Sequence, residues 1–73
     1  MRPTLKQLRL DRHLTQEQLA AAANCSQGSL SQWETGAMRP GILAAERLAT
    51  ALGVSLETLI AALKEVKPKT KKP

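Results

Sequence analysis

The chain has 73 residues, 42% hydrophobic, with one Trp, no Phe or Tyr, and a formal net charge of +5. That length makes one domain, near the lower limit for folding without a metal or disulfides, and a single cysteine excludes an internal disulfide framework. There is no apolar run long enough to cross a bilayer and no charged-then-apolar leader, so a soluble, cytoplasmic protein is expected, with no membrane partner.

Pro3 and Thr4 precede LKQLRLDRH. Pro3 disfavours helix before it, and Thr4 with Gln7 fits a capping box. Leu5, Leu8, Arg9 and Arg12 then fall at i, i+3, i+4 and i+7, which predicts a first helix over residues 5–12 with these side chains on one stripe. His13 stands where a left-handed residue often ends a helix. Gly is preferred there, but His enters that region more readily than most residues.

Thr15 and Gln18 form a second capping box, ahead of a helix over residues 16–23 that turns Leu19, Ala20 and Ala23 inward. Its alanines favour helix and let a neighbour approach closely. Asn24 and Cys25 make a turn. Ser26 caps a third helix over residues 27–35, and Gly36 is placed to end it in a left-handed conformation. Leu30, Trp33 and Glu34 form its inward stripe.

A loop over residues 37–41 leads to a fourth helix over residues 42–52, with Ile42, Ala45, Leu48, Ala49 and Leu52 inward and Gly53 at its end. Ser55 caps a fifth helix, whose stripe is Leu56, Leu59, Ile60 and Leu63. Five short helices joined by connections of about 2–6 residues predict a compact all-α domain. Its core is mostly Leu and Ala and therefore thin, so association with a second copy is expected.

Arg9 and Glu34 lie on two inward stripes and carry opposite charges. A buried charge without a partner costs roughly several kcal/mol. An Arg9–Glu34 ion pair is the economical arrangement, and it would fix the third helix against the first.

The net charge is unevenly spread. Residues 67–73, KPKTKKP, hold Lys67, Lys69, Lys71 and Lys72, and the rest of the chain has seven basic against six acidic residues. The expected organisation is a folded domain over residues 1–66 and a disordered basic tail over residues 67–73. Such a tail either stays solvated without a role or tracks phosphates.

Other reactive residue types receive plain assignments. Trp33 reads as a partly buried core residue, and Cys25 as a buried, inert thiol. His13 and Cys25 are too few for a metal site. With no second His, no glycine-rich phosphate loop and no inward carboxylate pair, the chain is not expected to be an enzyme, and no cofactor is expected.

Residues 14–36, LTQEQLAAAANCSQGSLSQWETG, therefore hold two capped helices joined by a tight turn. The outward face of the second carries amides and hydroxyls. That is the outline of a helix-turn-helix, whose second helix lies in the DNA major groove.

The chain resembles the lambda-type phage repressor and Cro (XRE) family of helix-turn-helix regulators over residues 4–63. The resemblance is carried by Leu5, Leu8 and Arg9, by LTQEQLA at 14–20, by the SQWETG run ending at Gly36, by Arg39 and Pro40, and by LATALGVSLETL at 48–59. It implies a five-helix lambda-repressor-like domain. It also implies a regulator that binds double-stranded DNA as a homodimer on a pseudo-palindromic operator, with repression the commoner outcome for a bare domain.

The family's site positions carry over by residue. Residues 27–35 become the recognition helix, with Gln27, Gly28, Ser31 and Gln32 facing base edges. Gln presents a donor and an acceptor that pair bidentately with adenine, so at least one of Gln27 and Gln32 is expected to read an adenine. Ser31 is a shorter, less selective reader. Gln16, Ser29, Thr35 and Arg39 are expected on phosphates, which fix register without reading sequence. Leu56, Ile60 and Leu63 are dimer candidates, although that stripe must also cover the domain's own core.

Some positions depart from the family pattern. Gly28 replaces a side chain that often makes a specific contact and weakens the helix by roughly 1 kcal/mol relative to Ala. That position is mute unless the backbone approaches the DNA. His13 stands where Gly is commoner, and Gly41 where a Ser-type cap is commoner. The recognition face carries no Arg or Lys, which shifts weight toward DNA shape and dimer geometry. Control is expected through concentration, operator arrangement or a partner protein. Two alternatives remain open: an antitoxin that also grips a toxin, and a basic amphipathic module formed by the last helix and tail that docks on a protein or an anionic membrane.

Overall fold

In the computed structural model the described residues are 3–66; the basic tail expected over residues 67–73 lies outside them. Five helices follow one another: α1 (Leu5–Asp11), α2 (Gln16–Ala22), α3 (Gln27–Thr35), α4 (Ile42–Leu52) and α5 (Leu56–Glu65). No strand occurs among the described residues, and no helix there is long and apolar enough to cross a membrane.

Local chemistry sets most of these boundaries. Thr15 and Gln18 form a reciprocal capping box, in which the Thr15 hydroxyl accepts from the Gln18 N–H and the Gln18 amide oxygen accepts from the Thr15 N–H. Ser26 and Ser55 accept from the N–H groups of Ser29 and Thr58 and so satisfy donors that a helix start leaves unpaired. Gly36 and Gly53 end α3 and α4 with φ of 85° and 71°. His13 and Asn24 also have positive φ, both at 58°, and each reverses the chain after a helix.

Several details differ from expectation. Helices α1 and α2 stop one residue early, with Arg12 and Ala23 serving as caps. Thr4 caps α1, but Gln7 does not return the bond, because its amide donates to Asp11 on the next turn at 2.9 Å. Arg12 does not join the buried stripe. It is exposed, and its guanidinium donates to the Leu52 carbonyl at the end of α4. Ile42 is 65% exposed rather than inward. It is the first residue of α4, and helical side chains tilt toward the amino end, so this one projects beyond the core.

The largest fully buried side chains are Leu5, Leu19, Leu30, Leu48 and Leu59, one from each helix. A single core thus draws on all five elements, and truncating any of these leucines to Ala should cost about 2–5 kcal/mol. Ala20, Ala23, Ala45, Ala49 and Ala62 fill the spaces between them. Helix α2 packs on α3 and α4, α4 on α5, and α1 on α3 and α5. Trp33 and Cys25 are half-buried against this core. In α5 only Leu59, Ala62 and Leu63 are buried, and Leu56 and Ile60 are half-buried.

Candidate nucleic-acid interface

Helix α3 has two unlike faces. Leu30 is buried, Trp33 is half-buried, and the Glu34 side chain is turned out of water on the same side. Gln27, Gly28 and Gln32 are exposed, and Ser31 is half-buried. Positions 27, 28, 31 and 32 share one side of a 3.6-residue helix, so the four residues form a continuous ridge. A Cβ built at Gly28 would meet nothing within 4 Å, so no packing demands glycine there.

The inner face of α3 is fixed by charge as well as packing. Arg9 Nε donates to Glu34 Oε2 at 2.6 Å, and Arg9 Nη2 donates to Glu34 Oε1 at 3.2 Å. Arg9 Nη1 donates to the Leu14 carbonyl at 2.8 Å. The guanidinium thus ties α1, the α1–α2 connection and α3 together. The two side chains are 8% and 4% exposed, so the pair sits almost wholly out of water. The fork geometry directs α3 as well as holding it, because guanidinium and carboxylate are planar partners.

The residues assigned to phosphates are placed differently from one another. Gln16 begins α2, and its amide nitrogen donates to Glu34 Oε1 at 2.9 Å. It is half-buried against the charge pair and not free in solvent. Ser29 is half-buried, and its hydroxyl accepts from Ser26 at 2.9 Å. Thr35 is exposed at the far end of α3 and donates to the Gln32 carbonyl at 3.2 Å. Arg39 is exposed, and its Nη1 reaches the Leu63 carbonyl near the end of α5 at 3.4 Å.

Sequence spacing does not reveal three of these links. The Gln16–Glu34, Arg12–Leu52 and Arg39–Leu63 contacts span 18, 40 and 24 residues. Two of them end on backbone carbonyls, which every residue offers. No residue type therefore signals them.

A concavity of about 360 Å³ lies between the end of α2 and α4, bordered by Ala23, Asn24, Leu43, Glu46 and Arg47. It includes none of the ridge residues. Among the described residues no group of three or more His, Cys, Asp or Glu could hold a metal ion. Burial pushes the Cys25 thiol above its ordinary value, partly opposed by the nearby Arg47 charge.

What the ridge can do follows from its side chains. A Gln amide sets an N–H donor beside a C=O acceptor in one plane, which matches the major-groove edge of adenine. A helix-turn-helix family model matches residues 5–59, from the first residue of α1 to the middle of α5. No curated protein matches the chain.

Proposed function

The chain belongs to the lambda-repressor (XRE) type of the helix-turn-helix family, whose members are DNA-binding regulators, and from that premise we propose that it represses transcription by reading a pseudo-palindromic operator as a homodimer. The observation that carries this reading is the polar ridge of α3. It is held outward by a buried leucine and a buried ion pair on the opposite face.

In this reading Gln27 and Gln32 read base edges, at least one of them on adenine. Ser31 adds a less selective contact, and Gly28 lets the backbone approach. Gln16, Ser29, Thr35 and Arg39 hold phosphates and set register. Arg39 can leave the Leu63 carbonyl, because that bond is long and the side chain is exposed. One domain covers about half a turn of groove, so two copies one helical turn apart are needed for a useful site. Leu56 and Ile60 retain enough exposed surface to contribute to pairing, whereas Leu63 is taken up by the core.

The test is selection from a random duplex pool by purified protein at about physiological salt, where charge alone no longer holds the complex. Recovery of a two-fold symmetric motif containing A·T positions supports the proposal. Retention without enrichment that vanishes as salt rises refutes it.

A further inference from the structure

Glu34 sits on the hidden face of α3, yet one of its oxygens is shared with a residue of the proposed phosphate contact. Oε1 accepts from Arg9 Nη2 at 3.2 Å and from Gln16 Nε2 at 2.9 Å, while Oε2 takes Arg9 Nε at 2.6 Å. The carboxylate therefore connects α1, α2 and α3 through one group.

We propose that Glu34 is a positioning residue for DNA binding, which sets the orientation of the Gln16 amide before DNA arrives. A carboxylate accepts hydrogen bonds and donates none, so only the nitrogen end of Gln16 can face it. That nitrogen carries two hydrogens in one plane. Fixing one on Glu34 fixes the direction of the other, and a phosphate oxygen is an acceptor for it. A free Gln would also present its own oxygen to the phosphate, which is repulsive. Arg9 has a matching part. By pairing with Glu34 it offsets the negative charge that would otherwise lie beside the phosphate. The buried pair thus does more than fasten α3 to α1: it selects the donor orientation of an amide on α2.

This inference rests on the assignment of Gln16 to a phosphate, and its test separates the two. Operator affinity is measured for the unaltered protein, Gln16→Ala, Glu34→Gln and the double variant, on the selected duplex and on a scrambled duplex of the same length. Gln16→Ala should weaken both duplexes by roughly 10-fold per protomer, the worth of one hydrogen bond to a charged group, without changing the salt slope. Glu34→Gln can turn its own amide nitrogen toward Gln16, so it no longer selects that orientation. It should weaken binding, in part through α3, but its loss should be clearly smaller in the Gln16→Ala background than in the unaltered protein.

Losses that multiply in the double variant would overturn the inference and leave the regulator reading intact. No effect of Gln16→Ala would remove the phosphate contact and the inference with it. Failure of the unaltered protein to distinguish the two duplexes would remove the regulator reading itself. Glu34→Gln also disturbs a buried ion pair and can unfold a small domain, so a second measurement uses the unaltered chain. Side-chain ¹⁵N relaxation of Gln16 without DNA should show an amide as ordered as the backbone. A freely reorienting amide would overturn the proposal without any variant.

Discussion

Arg9 and Glu34 stand 25 residues apart in sequence and meet at 2.6 Å, almost wholly shielded from water. Removing one partner leaves the other charge buried and unpaired, which costs about 3–5 kcal/mol. Replacing both with apolar side chains of similar size avoids that penalty. Arg9→Met alone should therefore destabilise strongly in urea denaturation, while Arg9→Met with Glu34→Leu should recover most of the loss. If the single variant loses less than about 1 kcal/mol, the pair behaves like an exposed ion pair and its burial has no energetic weight.

The charge pair could be read from the sequence because the inward stripe of α1 carried basic residues, Arg9 and Arg12, and that of α3 a single acid, Glu34. The bounds of α3 and α4 were legible because Ser26, Gly36 and Gly53 are strong punctuators. Periodicity alone misled at Ile42. A match at the first position of a helix does not guarantee a core beneath it, and Gly41 ahead of it makes no side-chain cap to fix the entry of the chain. Leu14 and Val54, in the connections, are half-buried against the core and followed no period. The ridge on α3 was legible as the complement of its buried stripe. The state of Gln16 was not, because its partner is an acceptor reached only once α2 and α3 are packed.

His13 is a second point where local backbone chemistry can be tested. Its φ of 58° is left-handed, and its side chain is exposed, so no packing repays the conformation. The left-handed region costs non-glycine residues roughly 1–2 kcal/mol, part of which glycine returns through its freer unfolded state. His13→Gly should raise stability by up to about 1 kcal/mol, measured by thermal denaturation. Asn24→Gly, at the same φ, should gain less, because Asn tolerates this region better. A loss in His13→Gly would mean that the imidazole makes a contact that offsets the strain.

The raised Cys25 thiol gives a pH signature. The thiolate is the reactive form, so alkylation in the folded protein should be slower at pH 8 than in urea, and should accelerate only at higher pH. The same shift has a stability consequence. Below the ordinary thiol value both folded and unfolded chains hold the proton, and stability is unaffected. As pH rises past that value the unfolded chain releases its proton more readily, and the folded state loses ground. Equal alkylation rates with and without urea at pH 8 would show that Cys25 is open to solvent and its shift negligible.

The ridge and the loop make opposite predictions on DNA, and one titration series separates them. A Gln that pairs bidentately with adenine contributes about 1–3 kcal/mol of discrimination at one base pair. Gln27→Ala or Gln32→Ala should therefore flatten the preference at one symmetric pair of positions and leave the salt slope alone. Arg39 carries charge and reads no base. Arg39→Ala should weaken all sequences alike and reduce the salt slope by about 1 per protomer. Its contact with the Leu63 carbonyl supplies the contrary outcome. If Arg39→Ala lowers thermal stability but leaves the salt slope unchanged, the guanidinium only closes the end of α5. The phosphate role would then fall to Gln16, Ser29 and Thr35, none of which brings a charge, and affinity in this domain would depend on shape and pairing more than on counterion release.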